Sequence, residues 1–65
     1  MDRKEELETL IERAKIAVMN AQEYLRVIEE NNLDGERPRG EKALSQGLEQ
    51  LSSLLRELAE FDDLN

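Results

Sequence analysis

The chain has neither cysteine nor histidine among its 65 residues. Disulfide bonds, zinc sites built on sulfur or imidazole ligands, and histidine-based catalysis are therefore excluded. No apolar run approaches the roughly 20 residues of a membrane-spanning helix, and the N-terminal "MDRKEELETL" is too polar for a signal peptide. We expect a cytoplasmic protein that does not enter a membrane.

Turn-forming residues are scarce and concentrated in one place. Of one Pro and three Gly, all but Gly47 lie within "NNLDGERPRGEK", residues 31 to 42. Because Gly, Pro and Asn interrupt regular structure, this stretch divides the chain into two segments. The composition favours two helices joined by one connection.

Basic residues are also in deficit, with 9 against 16 acidic residues and a net charge of −7. A negative surface keeps a small protein soluble and opposes binding to nucleic acids and membrane surfaces, which require a positive field. The simplest interpretation is a solvated helical surface; alternatively, the acidic surface binds a basic protein or occupies a nucleic-acid site by imitation. We expect a protein partner, and neither a nucleic acid nor a membrane.

The first segment has the apolar spacing of a helix. Asp2 and Glu5 fit the N-cap and N3 positions, and Asn31 with Asn32 can end the helix, since Asn tolerates a left-handed conformation. In heptads, the a positions are Ile11, Val18 and Leu25, the d positions Leu7, Ala14, Ala21 and Ile28, and the g positions Leu10, Ala17 and Tyr24.

The second segment repeats this pattern. Its d positions are Leu44, Leu51 and Leu58, its a positions Leu48 and Leu55, and its g positions Gly47, Leu54 and Phe61. We predict helix 1 over about 3–31, a connection over about 32–40, helix 2 over about 41–61 and a frayed acidic C-terminus over 62–65. The start of helix 2 has an alternative, in which Pro38 occupies the first turn of the helix. The chain, 1–65, is then a single all-α domain, an antiparallel two-helix hairpin.

Size complementarity supports the antiparallel pairing, because small residues of one helix then face large residues of the other. Gly47 is explained by a close approach of Tyr24, or it is simply a tolerated irregularity. Folding about residue 36 predicts these neighbours: Ala21 with Leu51, Ala14 with Leu58, and Tyr24 and Leu25 with Gly47 and Leu48.

A single hairpin covers only one flank of each wide apolar stripe, and chains this short bury little surface. A second chain would supply the missing contacts, so we predict a homodimer that forms a four-helix bundle of coiled-coil type. The predicted core and dimer seam consists of Leu7, Ile11, Val18, Leu25, Ile28, Leu44, Leu48, Leu51, Leu55 and Leu58.

Nothing in the sequence resembles a catalytic, cofactor or metal site. A di-iron bundle needs inward Glu residues and Glu-x-x-His, whereas these seam positions are apolar. Ser45, Ser52 and Ser53 lack a His base, and "DGERPRG" lacks the spacing and Lys-Ser/Thr of a phosphate loop. We expect a protein that is not an enzyme and binds neither cofactor nor metal.

Two groups of residues are candidate partner contacts. Ile16, Met19 and Val27 lie opposite the seam. They are either scattered exposed residues, or a partner site, or a second face of helix 1 that is buried in a larger assembly. The connection carries a group of three basic residues, Arg37, Arg39 and Lys42. They either belong to a simple turn or form a contact site. As a contact site they would clamp an acidic partner, a phosphate or the acidic end of a second chain.

These features predict a non-enzymatic protein-interaction module, an adaptor, chaperone or inhibitor. In size and hairpin plan the chain is similar to the plasmid copy-number proteins, which are dimeric bundles that bind paired RNA loops, and to the small chaperones of type III secretion needle subunits. "LAEFDDLN" resembles the acidic end of the former family, but the connection is longer and helix 1 lacks a basic and aromatic strip. The alternative function is a nucleic-acid-linked regulator, either an RNA-binding bundle or an acidic mimic.

Overall fold

Two long helices make up the computed structural model, which describes residues 2–64. Helix α1 spans Arg3–Glu30, a short 3-10 turn spans Asp34–Glu36, and helix α2 spans Arg37–Leu64. The helices pack against each other in a rod measuring 49 × 16 × 13 Å, and no strand occurs among the described residues. The predicted all-α hairpin is confirmed.

Both ends of α1 are fixed by local hydrogen bonds. At the start, the Asp2 carboxylate accepts the backbone N–H of Lys4 at 3.3 Å and caps the helix. At the end, Asn32 has φ 55, and the N–H of Leu33 donates to the Ile28 carbonyl at 2.9 Å. The N–H of Asn32 donates to the Glu29 carbonyl at 3.3 Å. This pair of bonds is a Schellman helix end, with Asn in the left-handed position that the sequence predicts.

Helix α2 begins earlier than expected, at Arg37 instead of about residue 41. The connection is therefore six residues long, 31–36, and Gly40 lies inside the helix. Pro38 is the reason that this start is possible. It occupies the first turn, where a backbone N–H would have no partner within the helix, and its fixed φ already suits helical geometry.

Helix α2 continues to Leu64, beyond the predicted end at about residue 61; Asn65 lies outside the described residues, and fraying of 62–65 stays a prediction. Two exposed ion pairs join this end of α2 to the start of α1. Arg3 Nη2 lies 2.7 Å from Glu57 Oε1, and Lys4 Nζ lies 3.7 Å from Asp62 Oδ1. The Glu57 carboxylate raises the pKa of Arg3, mainly by accepting its hydrogen bond.

The register of the two helices differs from the predicted one by a heptad. A Cβ placed on Gly40 would lie 2.7 Å from Leu25 Cδ2, and one placed on Gly47 would lie 3.1 Å from Val18 Cγ2. Val18, not Tyr24, therefore approaches Gly47, and Leu25 faces Gly40. The shorter connection moves the folding point from residue 36 to residues 32 and 33. A seven-residue slip preserves every heptad position, so periodicity alone does not distinguish the two registers.

In the observed register, four successive levels in the half of the seam near the turn join a small residue of one helix to a large residue of the other, whereas Ile11 and Leu7 lie level with Leu54 and Leu58. The large and small members alternate between the helices, which allows both close approach and dense packing. The two glycine contacts place these residues at the same level: Leu25 with Gly40, Ala21 with Leu44, Val18 with Gly47, and Ala14 with Leu51.

Burial is unequal between the two helices. The buried side chains all belong to α1: Leu7, Ile11, Ala14, Val18, Ala21 and Ile28. In the described part of α2, the side chains that face α1 are only half-buried: Leu44, Leu51, Leu54, Leu58 and Phe61. Helix α2 therefore has a wider apolar stripe than α1 covers.

Two residues of the predicted core and dimer seam, Leu48 and Leu55, are 48% and 46% exposed, so they do not belong to the core between α1 and α2. Their place in a dimer seam stays a prediction. Helix α2 contacts α1 through its d and g positions instead of its a and d positions. The glycines explain this choice. Gly40 and Gly47 both occupy g, and the absence of side chains there draws α1 toward the g flank. The a flank, with Leu48 and Leu55, is left uncovered.

Candidate interaction surfaces

The described residues contain no site with the geometry of a metal centre. No group of three acidic side chains within residues 2–64 is arranged to hold a metal ion. Over the same range, neither helix is long and apolar enough to cross a membrane. No buried polar or charged side chain occurs in the described part of the hairpin. The surfaces of interest are therefore apolar.

The outer strip of α1 consists of Ile16, Met19 and Val27, which are 55%, 64% and 42% exposed. The structure places all three away from α2, as their heptad positions predict. Glu12 and Glu23 lie between or beside them and are exposed. The outer strip is thus an apolar line with acidic neighbours.

The turn-end cleft is lined by Tyr24, Val27, Ile28 and Leu33 and has a volume of about 200 Å³. Leu33 follows the left-handed residue of the Schellman end, where an apolar side chain typically contacts the last turn of the helix. Here it packs beside Ile28, whose carbonyl accepts its N–H. Leu33 is absent from the predicted contacts, although its position after Asn32 was a signal for it. Val27 makes the cleft continuous with the outer strip.

A hydrogen bond attaches the 3-10 turn to α1 near this cleft. The Tyr24 hydroxyl donates to Glu36 Oε2 at 3.0 Å, and Arg39 Nη1 lies 3.7 Å from the same oxygen. The hydrogen bond raises the pKa of Tyr24, with smaller contributions from partial desolvation and the Glu36 charge. Tyr24 is therefore held in one orientation at the end of the hairpin.

Small residues form a groove on one side of the hairpin. The small-residue groove has a volume of about 470 Å³ and is open to solvent. Its floor is made of residues that are too small to fill the space between the helices. It is lined by Ala17, Asn20, Ala21, Tyr24, Arg39, Gly40 and Ala43.

The predicted basic group is dispersed. Arg37, Arg39 and Lys42 are all exposed and all lie on the first turns of α2, not in a loop. Because a helix turns about 100° per residue, Arg37 and Arg39 lie on opposite sides of α2. Only Arg39 lines the groove. The structure therefore does not bring the three cations together as one clamp.

The α2 edge consists of Leu44, Leu48, Leu51 and Leu55. The first and third are half-buried against α1, whereas Leu48 and Leu55 are exposed. Leu48 is five residues from Ala43 of the small-residue groove, which places it about 140° away around the helix. The α2 edge and the groove are therefore separate surfaces on opposite flanks of the hairpin.

No model of a known protein family matches the chain, and comparisons with curated proteins and with solved structures gave no significant match.

Proposed function

We propose that the protein is a non-enzymatic interaction module, an acidic helical hairpin that pairs with a second copy as a four-helix dimer and binds a protein partner as an adaptor, chaperone or inhibitor. One observation carries the proposal. Among residues 2–63, seven large apolar side chains are between 39% and 64% exposed, whereas only four large apolar side chains and two alanines are buried. Cytoplasmic location stays a prediction.

The small core supports self-association. Two of the six buried side chains are alanines, which bury little apolar area, and every apolar side chain of α2 that faces α1 is only half-buried within the described range. Isolated two-helix hairpins of this size rarely have enough core to fold stably. Covering the remaining stripe with a second chain would add apolar burial without changing the fold.

The outer strip supports a second, heterologous contact. Its three apolar side chains continue into the turn-end cleft through Val27, so together they form one extended apolar surface. Exposed apolar surface of this kind with a polar border is typical of protein-binding sites. At its border, Glu12 pairs with Lys15 and Glu23 pairs with Arg26, so the apolar side chains supply the attraction for a partner.

Binding tests distinguish this surface from the basic residues. Replacing Ile16, Met19 and Val27 with Gln is expected to abolish partner capture from a native-host extract while the helical circular dichroism signal stays unchanged. The matched variant replaces Arg37, Arg39 and Lys42 with Gln, and it is expected to bind normally, since solvated charges contribute little.

The opposite pattern would contradict the outer-strip assignment. Loss of binding in the cation variant alone, with a flattened salt dependence, would move the partner site to the start of α2. Salt-dependent binding of RNA by the unmodified protein would instead support the nucleic-acid alternative.

A further inference from the structure

We infer that a second copy of this chain docks along the α2 edge, with the two α2 helices antiparallel and Arg37 of each copy opposite the partner's Asp62. The inference rests on the proposed dimer and specifies its surface and register. Unpaired leucines, heptad spacing and the charge distribution of α2 support it.

The α2 edge has the spacing of a coiled-coil seam. Leu48 and Leu55 occupy a positions, and Leu44 and Leu51 occupy d positions. Contact with α1 leaves the a residues about half exposed and the d residues only half-buried, so both sets retain area for a second helix. Helix α2 packs on α1 through its d and g positions, so its a and d positions can pack on a third helix, as they do in helix bundles.

One antiparallel register brings all four leucines together. In antiparallel coiled coils an a residue packs at the level of a d residue of the other helix. If Leu48 lies level with the partner's Leu51, then Leu44 lies level with the partner's Leu55. The two-fold axis repeats both contacts, which gives four leucine layers from four residues per chain.

The same register pairs opposite charges at both ends of the seam. Arg37 stands one heptad before Leu44, and Asp62 stands one heptad after Leu55, so both lie on the side of the α2 edge. With Leu44 level with the partner's Leu55, Arg37 lies level with the partner's Asp62. Both side chains are exposed, and because Asp62 already lies 3.7 Å from Lys4 Nζ of its own chain, its carboxylate would be shared between Lys4 and the second copy's Arg37.

The wider charge pattern of α2 favours the antiparallel direction. Its first turns carry Arg37, Arg39 and Lys42, and its last turns carry the acidic residues Glu57, Glu60, Asp62 and Asp63. Antiparallel docking places the basic end of each α2 beside the acidic end of the other. Parallel docking would place like charges together and would align the two helix dipoles unfavourably.

The other surfaces fit a second copy less well. The outer strip is bordered by the ion pairs Glu12–Lys15 and Glu23–Arg26, so two copies meeting there would remove these charged side chains from water. The small-residue groove needs large apolar side chains from its occupant. The exposed leucines that could supply them lie on the opposite flank of each copy.

Sedimentation equilibrium of the full chain tests the docking surface. Leu48→Gln with Leu55→Gln is expected to raise the dimer dissociation constant by at least about 100-fold, because four leucines leave each interface. The matched control, Ile16→Gln with Met19→Gln, is expected to leave it within about threefold. Circular dichroism of the dissociated L48Q/L55Q chain checks that exposed positions were changed without loss of the helices.

A charge swap tests the register. The swap is made in a Lys4→Gln background, which removes the ion pair that Lys4 makes with Asp62 of its own chain. There, Arg37→Asp alone is expected to raise the dissociation constant about tenfold, and adding Asp62→Arg is expected to restore most of the loss, since the pair is re-formed with reversed signs. A double variant weaker than Arg37→Asp alone would overturn the register even if the leucine result stood.

Spin labels test the direction. The chain has no cysteine, so Ser52→Cys and Ala59→Cys each introduce one attachment site. At a rise of 1.5 Å per residue, antiparallel docking predicts a label-to-label distance about 15 to 20 Å shorter at 52 than at 59. Equal distances at the two positions would indicate parallel α2 helices and overturn the proposal.

The failure modes are distinguishable. If the unmodified chain is a folded monomer at micromolar concentration, the dimer in the proposed function is wrong, and the docking surface with it. If the unmodified chain is a dimer that L48Q/L55Q leaves intact, only the α2 edge is wrong, and self-association occurs through another face.

Discussion

Helices α1 and α2 are each 28 residues long and carry closely similar apolar repeats, yet only α1 has buried side chains within the described residues. The difference arises from where the small residues are placed. Helix α1 has alanines at d, so its own large residues project between them toward α2. Helix α2 has Gly40 and Gly47 at g, and α1 settles on that flank.

The two helices share one apolar pattern, yet they differ in which apolar surface each leaves exposed for a further partner. Helix α1 uses its apolar a and d residues inside the hairpin, and the large apolar residues it exposes are the outer strip and Tyr24 at a g position. Helix α2 exposes residues that belong to the stripe itself, Leu48 and Leu55. Surface made of seam residues is suited to further helix packing, whereas the outer strip is suited to a different partner.

The largest expected effect compares one leucine of each helix. Leu7→Ala removes a side chain with 0% exposure and is expected to lower the free energy of unfolding by about 3 kcal/mol, the cost of a buried cavity. Leu55→Ala, at 46% exposure, is expected to cost about 1 kcal/mol or less. Urea unfolding at a concentration where the chain is monomeric measures both.

The difference between these two variants should shrink when the chain is concentrated enough to dimerise, because Leu55 then also contributes to stability through the interface. Equal costs in the monomer would show that α2 is as well covered as α1.

A second test concerns the glycine that draws α1 to its flank. Gly40→Ala places a methyl group 2.7 Å from Leu25 Cδ2 and 3.2 Å from Ile28 Cδ1. Overpacking of about 1 to 3 kcal/mol exceeds the gain in helix propensity of about 1 kcal/mol, so we expect net destabilisation of about 1 kcal/mol. Thermal unfolding of the monomer measures it.

Gly35 provides the matched control for this substitution. Nothing lies within 4 Å of a Cβ there, and its φ is not positive, so Gly35→Ala is expected to be neutral or stabilising by up to about 1 kcal/mol. If Gly40→Ala also stabilised the protein, the close approach of Leu25 would not be what determines the seam.

The sequence predicts the helices because their causes are local. Asp2 as the N-cap, the apolar repeat and the Asn pair all act within a few residues, and each appears in the structure in its expected role. The register depends on the length of the connection and on which glycine meets which side chain. Pro38 in a first turn, with Gly40 one heptad before Gly47, was the available signal, but a helix start after Gly40 was also compatible with the sequence.

The candidate contact residues also divide into those whose exposure depends on one helix alone and those whose exposure depends on how the two helices pack. Exposure of Ile16, Met19 and Val27 follows from helical periodicity, which one helix determines by itself. Exposure of Leu48 and Leu55 depends on how two helices share a three-position stripe, and the heptad pattern does not specify that choice. The contact of Leu33 with Ile28 requires the left-handed backbone of Asn32.

The third prediction concerns Asn32. Its left-handed conformation sets the turn, and the turn sets the register in which α1 is more buried than α2. With φ 55, Asn32→Gly is expected to leave stability unchanged or slightly raised, because Gly adopts this conformation freely. Asn32→Val is expected to cost about 1 to 2 kcal/mol, the strain of a β-branched residue in the left-handed region. Chemical denaturation of the two variants provides the comparison, and equal stability would mean that the Schellman end does not fix the turn.

The smallest expected effect is the titration of Tyr24, which joins α1 to the turn before α2. Its hydrogen bond to Glu36 raises the pKa of the phenol above its ordinary value of 10.0, because the protonated form is the donor. The folded state therefore favours the proton. Its contribution to stability is complete below pH 10.0 and is lost as pH rises through the raised pKa.

The chain has one Tyr and no Trp, so absorbance at 295 nm follows this group alone. We expect the midpoint to lie above 10.0 in the unmodified protein and to move down toward that value in Glu36→Gln, which removes the carboxylate charge and weakens the acceptor. Glu23→Gln is the matched control, since Glu23 pairs with Arg26 and not with Tyr24. A midpoint that does not respond to Glu36→Gln would show that the turn is not attached to α1 through this bond, and the Schellman end and the Gly40 contact would then be the features that fix the register.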